Sequence, residues 1–182
     1  SYGNSLLLTH IMQAGTLVID NRFMYPNVVL EGMQREEVTG FAGVPSTFAI
    51  LLNRSNFKSC SLPSLRYITQ AGGPMPHSMA YEILNAVPHA KLYIMYGQTE
   101  ASARLSYLHP EDLHRKHGSV GKAIPGVSLQ VVNEKNEQVK PGETGEIIAI
   151  GENIMLGYWG KQEETAKALG EGRLYTGDIA TV

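Results

Sequence analysis

A threonine hydroxyl and a glutamate carboxylate stand side by side in YGQTE, Tyr96 to Glu100, directly after the strand-like run KLYIM, Lys91 to Met95. A hydroxyl can hold a phosphate oxygen, and a carboxylate is a hard oxygen donor of the kind Mg²⁺ takes. Ligands of open α/β sheets lie in the crevice outside the carboxyl ends of the strands, so Thr99 and Glu100 are expected where a parallel strand ends. A second segment, QAGGPMP from Gln70 to Pro76, closes another strand-like run, LRYITQ. Its glycines, Gly72 and Gly73, let the backbone come close to a flat ligand. Two further segments carry turn and acidic residues: GETGEIIAIGENIMLGYW, Gly142 to Trp159, and YTGD, Tyr175 to Asp178.

The surrounding elements decide whether these segments share an edge. Residues 5–15 are apolar at helical spacing and run into Gly15, which is expected to end the helix. TLVID, Thr16 to Asp20, is β-branched and reads as a strand. After Pro26 the spacing predicts a helix over Asn27 to Glu37 with a charged tail, then a strand in VTGFAGV, Val38 to Val44. Pro45 suits a first helical turn, so a helix is expected from Pro45 to about Leu52. Leu65 to Gln70, about Met75 to Ala86, and Lys91 to Met95 read as strand, helix and strand. Strands alternating with helices of about ten residues imply βαβ units, a parallel sheet and strand ends on one edge. After about Ser119 the pattern changes to short strands, SLQVV (Ser128 to Val132) and GEIIAI (Gly145 to Ile150), separated by a turn-rich stretch with Pro141-Gly142. The expected fold class is therefore α/β: a parallel βαβ layer over the N-terminal two thirds, followed by a smaller, mainly antiparallel β part. The expected division is residues 1–118 and 119–182.

Composition narrows the function classes. The 182 residues match one domain, and 43% hydrophobic with 18% charged residues is a globular balance. A formal net charge of -2 gives no electrostatic case for nucleic acid or an acidic membrane. No apolar run reaches the roughly 18 residues a spanning helix needs. The single cysteine, Cys60, has no partner for an internal disulfide and points to a reducing, cytoplasmic setting. His114 and His117 lie in the charged stretch HRKHG, without the spacing of a metal site. The dinucleotide fingerprint and the Walker phosphate loop are both absent. The charges of KQEETAK read as a solvated helix face.

Singly, each of the four segments reads as a turn, a hairpin loop or a strand end. Taken together and in order, QAGGPMP, YGQTE, GSVGKAIPG (Gly118 to Gly126) and the pair GETGEIIAIGENIMLGYW with YTGD resemble the adenylate-forming enzymes, the acyl-CoA synthetases and AMP-binding ligases. The resemblance implies that Gly72, Gly73 and Pro74 line an adenine, with Met95, Tyr96, Gly97 and Gln98 beside it and Tyr96 stacked on the base. It implies that Thr99 contacts the α-phosphate, that Glu100 helps hold Mg²⁺, and that Asp178 accepts hydrogen bonds from the ribose hydroxyls. Thr99 and Glu100 are thus the implied catalytic pair. By the same resemblance the acyl pocket takes Tyr2, Asn4, Val44, Ser46, Gln70, Gly72, Met95 and Ala103, mostly small or apolar residues that suit an acyl or aryl acid.

The implied reaction is ATP- and Mg²⁺-dependent. A carboxylic acid becomes an acyl-adenylate and is then passed to a thiol, of CoA or of a carrier protein, as in fatty acid metabolism. An amino-acid adenylation domain and a non-catalytic nucleotide-binding module are the alternatives. Against the first, no acidic residue stands at the position that would hold an amino group, and a buried amine needs a paired charge. The chain does not begin with Met, and its match covers only the middle of the family's large domain. A fragment is therefore expected. The family's Ser/Thr/Gly-rich phosphate loop and a histidine near the acyl pocket belong before Ser1. The hinge, a ribose-binding arginine and a small C-terminal domain with a catalytic lysine belong after Val182. Arg173 stands where many members carry Trp.

Overall fold

The computed structural model describes residues 2–182, which divide into two compact units: Tyr2–Tyr96 with Tyr107–Lys122, and Gly97–Ser106 with Ala123–Val182. The first unit carries the expected alternation: α1 (Tyr2–Met12), α2 (Pro26–Arg35), β1 (Gly40–Gly43), α3 (Pro45–Arg54), β2 (Tyr67–Gln70), α4 (His77–Ala86) and β3 (Lys91–Tyr96). β1, β2 and β3 pair in parallel, with Gly40 opposite Tyr67 and Tyr67 opposite Lys91. Two short strands not foreseen from the sequence, β4 (Ser106–Leu108) and β5 (Lys122–Ala123), extend the sheet in the order β1-β2-β3-β4-β5. Three residues and two residues are too few to show any periodicity.

The helices bury one face each, by the usual three- and four-residue spacing. Val29, Leu30 and Met33 of α2, Phe48, Leu51 and Leu52 of α3, and Ala80 and Ile83 of α4 meet Ile68 of β2 and Leu92 of β3 in one core. Phe41 and Phe48 add an edge-to-face contact with ring centroids 6.0 Å apart. α1, by contrast, contributes no buried residue.

Thr16–Asp20 is not a strand: no neighbour among the described residues shares a ladder with it, and Ile19 is 88% exposed. β-Branched composition fits a pleated surface but cannot replace a hydrogen-bonding partner. The end of α1 also differs from expectation. Ala14, not Gly15, takes the left-handed conformation (φ 52°), and Gly15 N–H closes back onto the His10 carbonyl at 2.7 Å.

His114 and His117 prove to belong to a surface cluster with His77 and Tyr81. The His77 and His117 rings lie 3.6 Å apart, and the Tyr81 hydroxyl meets His114 Nδ1 at 2.9 Å. Local desolvation first, then the charges His117 and His114 would carry, hold the His77 imidazole below its ordinary value.

The second unit holds β6 (Val127–Val132), β7 (Thr144–Gly151), α5 (Gln162–Ala168), β8 (Leu169–Gly170) and β9 (Arg173–Thr181). Its four strands form an antiparallel sheet in the order β6-β7-β9-β8. Val132, Ile147, Ile148, Ala149 and Leu174 are buried in it, as are Ala101 and Leu105 of the segment 97–106. Asn133 shapes the β6–β7 connection, its side-chain oxygen accepting from the amides of Lys135 and Glu137.

The end of α2 gives a test. Glu37 occupies the left-handed position (φ 49°) of a C-terminal motif in which Val38 N–H bonds to the Met33 carbonyl at 3.0 Å and Glu37 N–H to that of Gln34 at 3.2 Å. A residue with a Cβ is disfavoured there, whereas glycine fits. Glu37→Gly is expected to stabilise the protein by up to about 1 kcal/mol, read as a higher urea midpoint at unchanged m-value. A lower midpoint would contradict this account of the helix end.

Candidate functional site

β3 ends at Tyr96, and the chain folds back on itself at once. A Cβ at Gly97 would stand 2.5 Å from the Ala103 carbonyl oxygen and 2.8 Å from Arg104 Cα, so only glycine allows this return. Thr99–Ala101 form a single 3-10 turn. Ser102 and Ala103 then take left-handed conformations in succession (φ 51° and 80°). Such residues cost on the order of 1–3 kcal/mol each and persist only where the surroundings over-determine them.

The surroundings here are the segment after β7. Asn153 Nδ2 donates to the carbonyls of Ala101 and Arg104, both at 2.9 Å, and the Ser102 hydroxyl donates to the Asn153 carbonyl at 2.9 Å. Met155 N–H donates to the Glu100 carbonyl at 2.8 Å. The Tyr158 hydroxyl reaches Glu100 itself, donating to Oε1 at 2.6 Å. That bond above all, with local desolvation and the negative charge of Glu100, pushes the phenol above its ordinary value, so Tyr158 stays a donor at neutral pH. Tyr158 is in turn held by its amide, which donates to Thr165 Oγ1 of α5 at 2.9 Å.

Asp178 lies inside β9, not at a strand end. β7 pairs Glu146 with Ile179 and Ile148 with Tyr175, which leaves Ile147 alone opposite Thr176, Gly177 and Asp178. This bulge is built from its own sequence. The Thr176 hydroxyl donates to the Ile147 carbonyl at 2.7 Å and accepts from Asp178 N–H at 3.1 Å. Gly177 supplies the positive φ of 74°, and its amide donates to Glu146 Oε1 at 2.9 Å. Bulges re-aim side chains, and the Asp178 carboxylate is exposed.

In the first unit the glycine turn is braced from below. Gln70 is fully buried, and its Nε2 donates to the Gly73 carbonyl at 2.7 Å, while its Oε1 has no donor. Gly72 takes φ 81°, and Gly72, Gly73 and Pro74 are exposed. Alternation along β2 puts Gln70 on the face of Ile68, which lies in the core, and Thr69 on the other. The Tyr2 hydroxyl meets Thr69 Oγ1 there at 2.6 Å. Val44 and Ser46 are exposed near the start of α3, Asn4 is exposed on α1, and Met95 and Tyr96 are half-buried in β3.

The structure thus gathers Gly97, Gln98, Thr99, Glu100 and Ala103 into one braced loop, sets Asp178 on the bulge of the same unit, and puts Gly72, Gly73, Pro74 and Gln70 into one turn of the first unit. Sequence reasoning missed Asn153, Tyr158, Thr165, Glu146 and Thr69 as parts of these sites. Asn153 and Tyr158 lay within the quoted run GENIMLGYW, but nothing in their spacing shows what they hold.

The donor set suits a phosphate with its cation. Thr99 and Glu100 offer hard oxygens. Gln98 Nε2 is a buried donor without a protein acceptor, and the Gly97 return admits no side chain. Comparison with known proteins agrees in kind: residues 1–159 match the family model described as AMP-binding enzyme. The chain belongs to the AMP-binding enzyme family. It is 33% identical over 176 residues to a feruloyl-CoA synthase of Amycolatopsis, covering 96% of this chain and 35% of that protein. It is also 33% identical over 172 residues to an indoleacetate–CoA ligase of Aromatoleum aromaticum, covering 94% and 33%. The unliganded O-succinylbenzoate coenzyme A synthetase of Bacillus subtilis superposes on all of this chain and 37% of its own, with TM-score 0.87 and 29% identity. The same synthetase has been solved with ATP and magnesium ion. The chain spans about a third of the length of these curated relatives.

Asn153 offers the test of the loop. Asn153→Ala leaves two carbonyls without their shared donor and is expected to lower stability by about 1–3 kcal/mol, with faster amide exchange over residues 99–105. Asn153→Asp, which sets a carboxylate against those carbonyls, is expected to cost more. Denaturation and hydrogen exchange that separate neither variant from the parent would contradict the clamp.

Proposed function

We propose that this chain is the nucleotide-binding part of an ATP-dependent carboxylic acid:CoA ligase. The observation that carries the reading is the braced Thr99–Glu100 turn, a hydroxyl and an oriented carboxylate held by Asn153 and Tyr158 in a member of the AMP-binding family. Thr99 binds the α-phosphate, Glu100 is the Mg²⁺ ligand, and Asp178 accepts from the ribose hydroxyls. Gly72, Gly73 and Pro74 receive the adenine, with Met95, Tyr96, Gly97 and Gln98 beside it. The expected functional division, an acyl- and adenine-binding part in residues 1–118 and a β-rich part in 119–182, belongs to the same proposal.

The reaction proceeds in two displacements. The substrate carboxylate oxygen bonds to the α-phosphorus of ATP as the bond to the bridging oxygen breaks and pyrophosphate leaves. A thiol sulfur then bonds to the acyl carbon, losing its proton, and AMP leaves. The residues of this chain position and neutralise rather than react. Thr99 orients a phosphate oxygen and Asp178 fixes the sugar; Mg²⁺, when bound at Glu100, supplies further charge neutralisation.

The acid is an aryl or acyl carboxylic acid, lined by Tyr2, Asn4, Val44, Ser46, Gln70, Met95 and Ala103, and the acceptor is CoA. The names of the feruloyl- and indoleacetate-activating relatives support CoA transfer over amino-acid activation. No described helix is long and apolar enough to cross a membrane, and we place the enzyme in the cytoplasm.

ATP–pyrophosphate exchange by the complete gene product across a panel of acids tests this reading. Aryl or fatty acids are expected to support exchange better than amino acids. Asp178→Asn should raise KM for ATP about 10- to 100-fold through loss of a charge-assisted hydrogen bond. The 182-residue chain alone is expected to bind AMP weakly without turnover. Amino acids outperforming the other acids would reverse the substrate assignment, and robust exchange by the 182 residues alone would refute the proposal that they act as one part of the ligase.

A further inference from the structure

We infer that Tyr158 is a positioning residue for the cation site, setting the Glu100 carboxylate through its hydroxyl and itself set by Thr165 of α5. The inference rests on the proposed role of Glu100 and adds two residues that neither touch nucleotide nor react. Its basis is a continuous chain of bonds within one unit. The Lys161 carbonyl accepts from Thr165 Oγ1 at 2.7 Å, that same oxygen accepts from Tyr158 N–H at 2.9 Å, and the Tyr158 hydroxyl donates to Glu100 Oε1 at 2.6 Å.

The geometry leaves Tyr158 little choice of place. Gly157 stands against Thr165, where a Cβ would lie 2.8 Å from Thr165 Cγ2, so the backbone passes close under α5. Leu156 and Trp159, on either side, are fully exposed, while Tyr158 alone turns inward. A carboxylate on a short turn has two free side-chain torsions beyond Cβ and, left alone, would sample several rotamers. The phenol bond to Oε1 restricts these torsions and favours a subset of directions for Oε2. Partners that orient a metal-binding carboxylate in this way typically contribute 10- to 100-fold to metal affinity.

The same chain explains the helix KQEETAK beyond solvation. All seven residues of α5 are polar or small and none is buried. Thr165 is half-buried, as is Ala168, and its hydroxyl both donates to the Lys161 carbonyl and accepts from Tyr158 N–H.

The test uses the complete gene product with Mn²⁺ as probe. Bound Mn²⁺ is read by electron paramagnetic resonance in the presence of a non-hydrolysable ATP analogue, and AMP affinity is read by calorimetry without metal. Tyr158→Phe is expected to weaken Mn²⁺ uptake about 10- to 100-fold while AMP affinity and melting temperature stay near those of the parent. Thr165→Val, nearly isosteric but without the acceptor, should move Mn²⁺ affinity the same way by less. In a Glu100→Gln background Tyr158→Phe should add nothing.

Unchanged Mn²⁺ affinity in Tyr158→Phe, or Mn²⁺ and AMP affinities that fall together, would overturn the inference and leave Tyr158 a structural residue. If Tyr158→Phe does not fold, Thr165→Val decides: selective loss of Mn²⁺ supports the chain, and no loss refutes it. A parent protein that binds AMP but takes up no Mn²⁺ would instead sink the metal role of Glu100, and the inference with it.

Discussion

The carboxamide of Asn153, donating at once to the carbonyls of Ala101 and Arg104, is the interaction on which the second unit depends. Between those carbonyls lie Ser102 and Ala103, two consecutive left-handed residues with side chains. Free in water, such a pair would relax to the ordinary right-handed or extended regions. A single donor group that serves both ends of the strained pair removes the relaxed alternatives, since either carbonyl would lose its partner on relaxing. Thr99 and Glu100 precede the pair with only Ala101 between. Their placement is thus set by a residue some fifty positions later in the chain.

The same logic governs Asp178, the other carboxylate of the proposed site. Asp178 is carried on three residues of β9 that oppose one residue of β7, and the bulge is stabilised by hydrogen bonds from Thr176 and Gly177. In both places a local departure from regular backbone is offset by specific side-chain bonds, and a carboxylate is presented next to it. Away from these places the strands pair regularly, and their buried aliphatics include Ile68, Leu92, Ile148 and Leu174. Left-handed residues also end helices at Ala14 and Glu37, but the braced turn and the bulge are the departures that adjoin the proposed site, as is usual when a rigid scaffold holds a functional loop.

Local order was readable where the pattern is local. Helical spacing placed α2, α3 and α4 to within a few residues, and the runs ending in Gln70 and Met95 gave β2 and β3. YGQTE stood out because its residue types are chemically loaded, whereas YTGD stood out as part of the family resemblance. What could not be read was pairing. TLVID has the composition of a strand and no ladder partner, and β4 and β5 are strands only because a neighbour is there. The braces around Glu100 and Asp178 are equally non-local: Tyr158 acts across 58 positions and Glu146 across 31, and no spacing rule spans such distances. Gln70 shows the complementary effect. Its place at a strand end was legible in the sequence, whereas its hydrogen bond to the Gly73 carbonyl, which braces the glycine turn, was not.

Hydrogen–deuterium exchange of the complete gene product, with and without saturating AMP, bears most directly on the claim that the braced turn and the bulge hold the nucleotide. The account predicts that AMP slows exchange in peptides covering residues 97–106 and 175–181. Protection confined to other parts of the protein, with both of these segments unchanged, would contradict it.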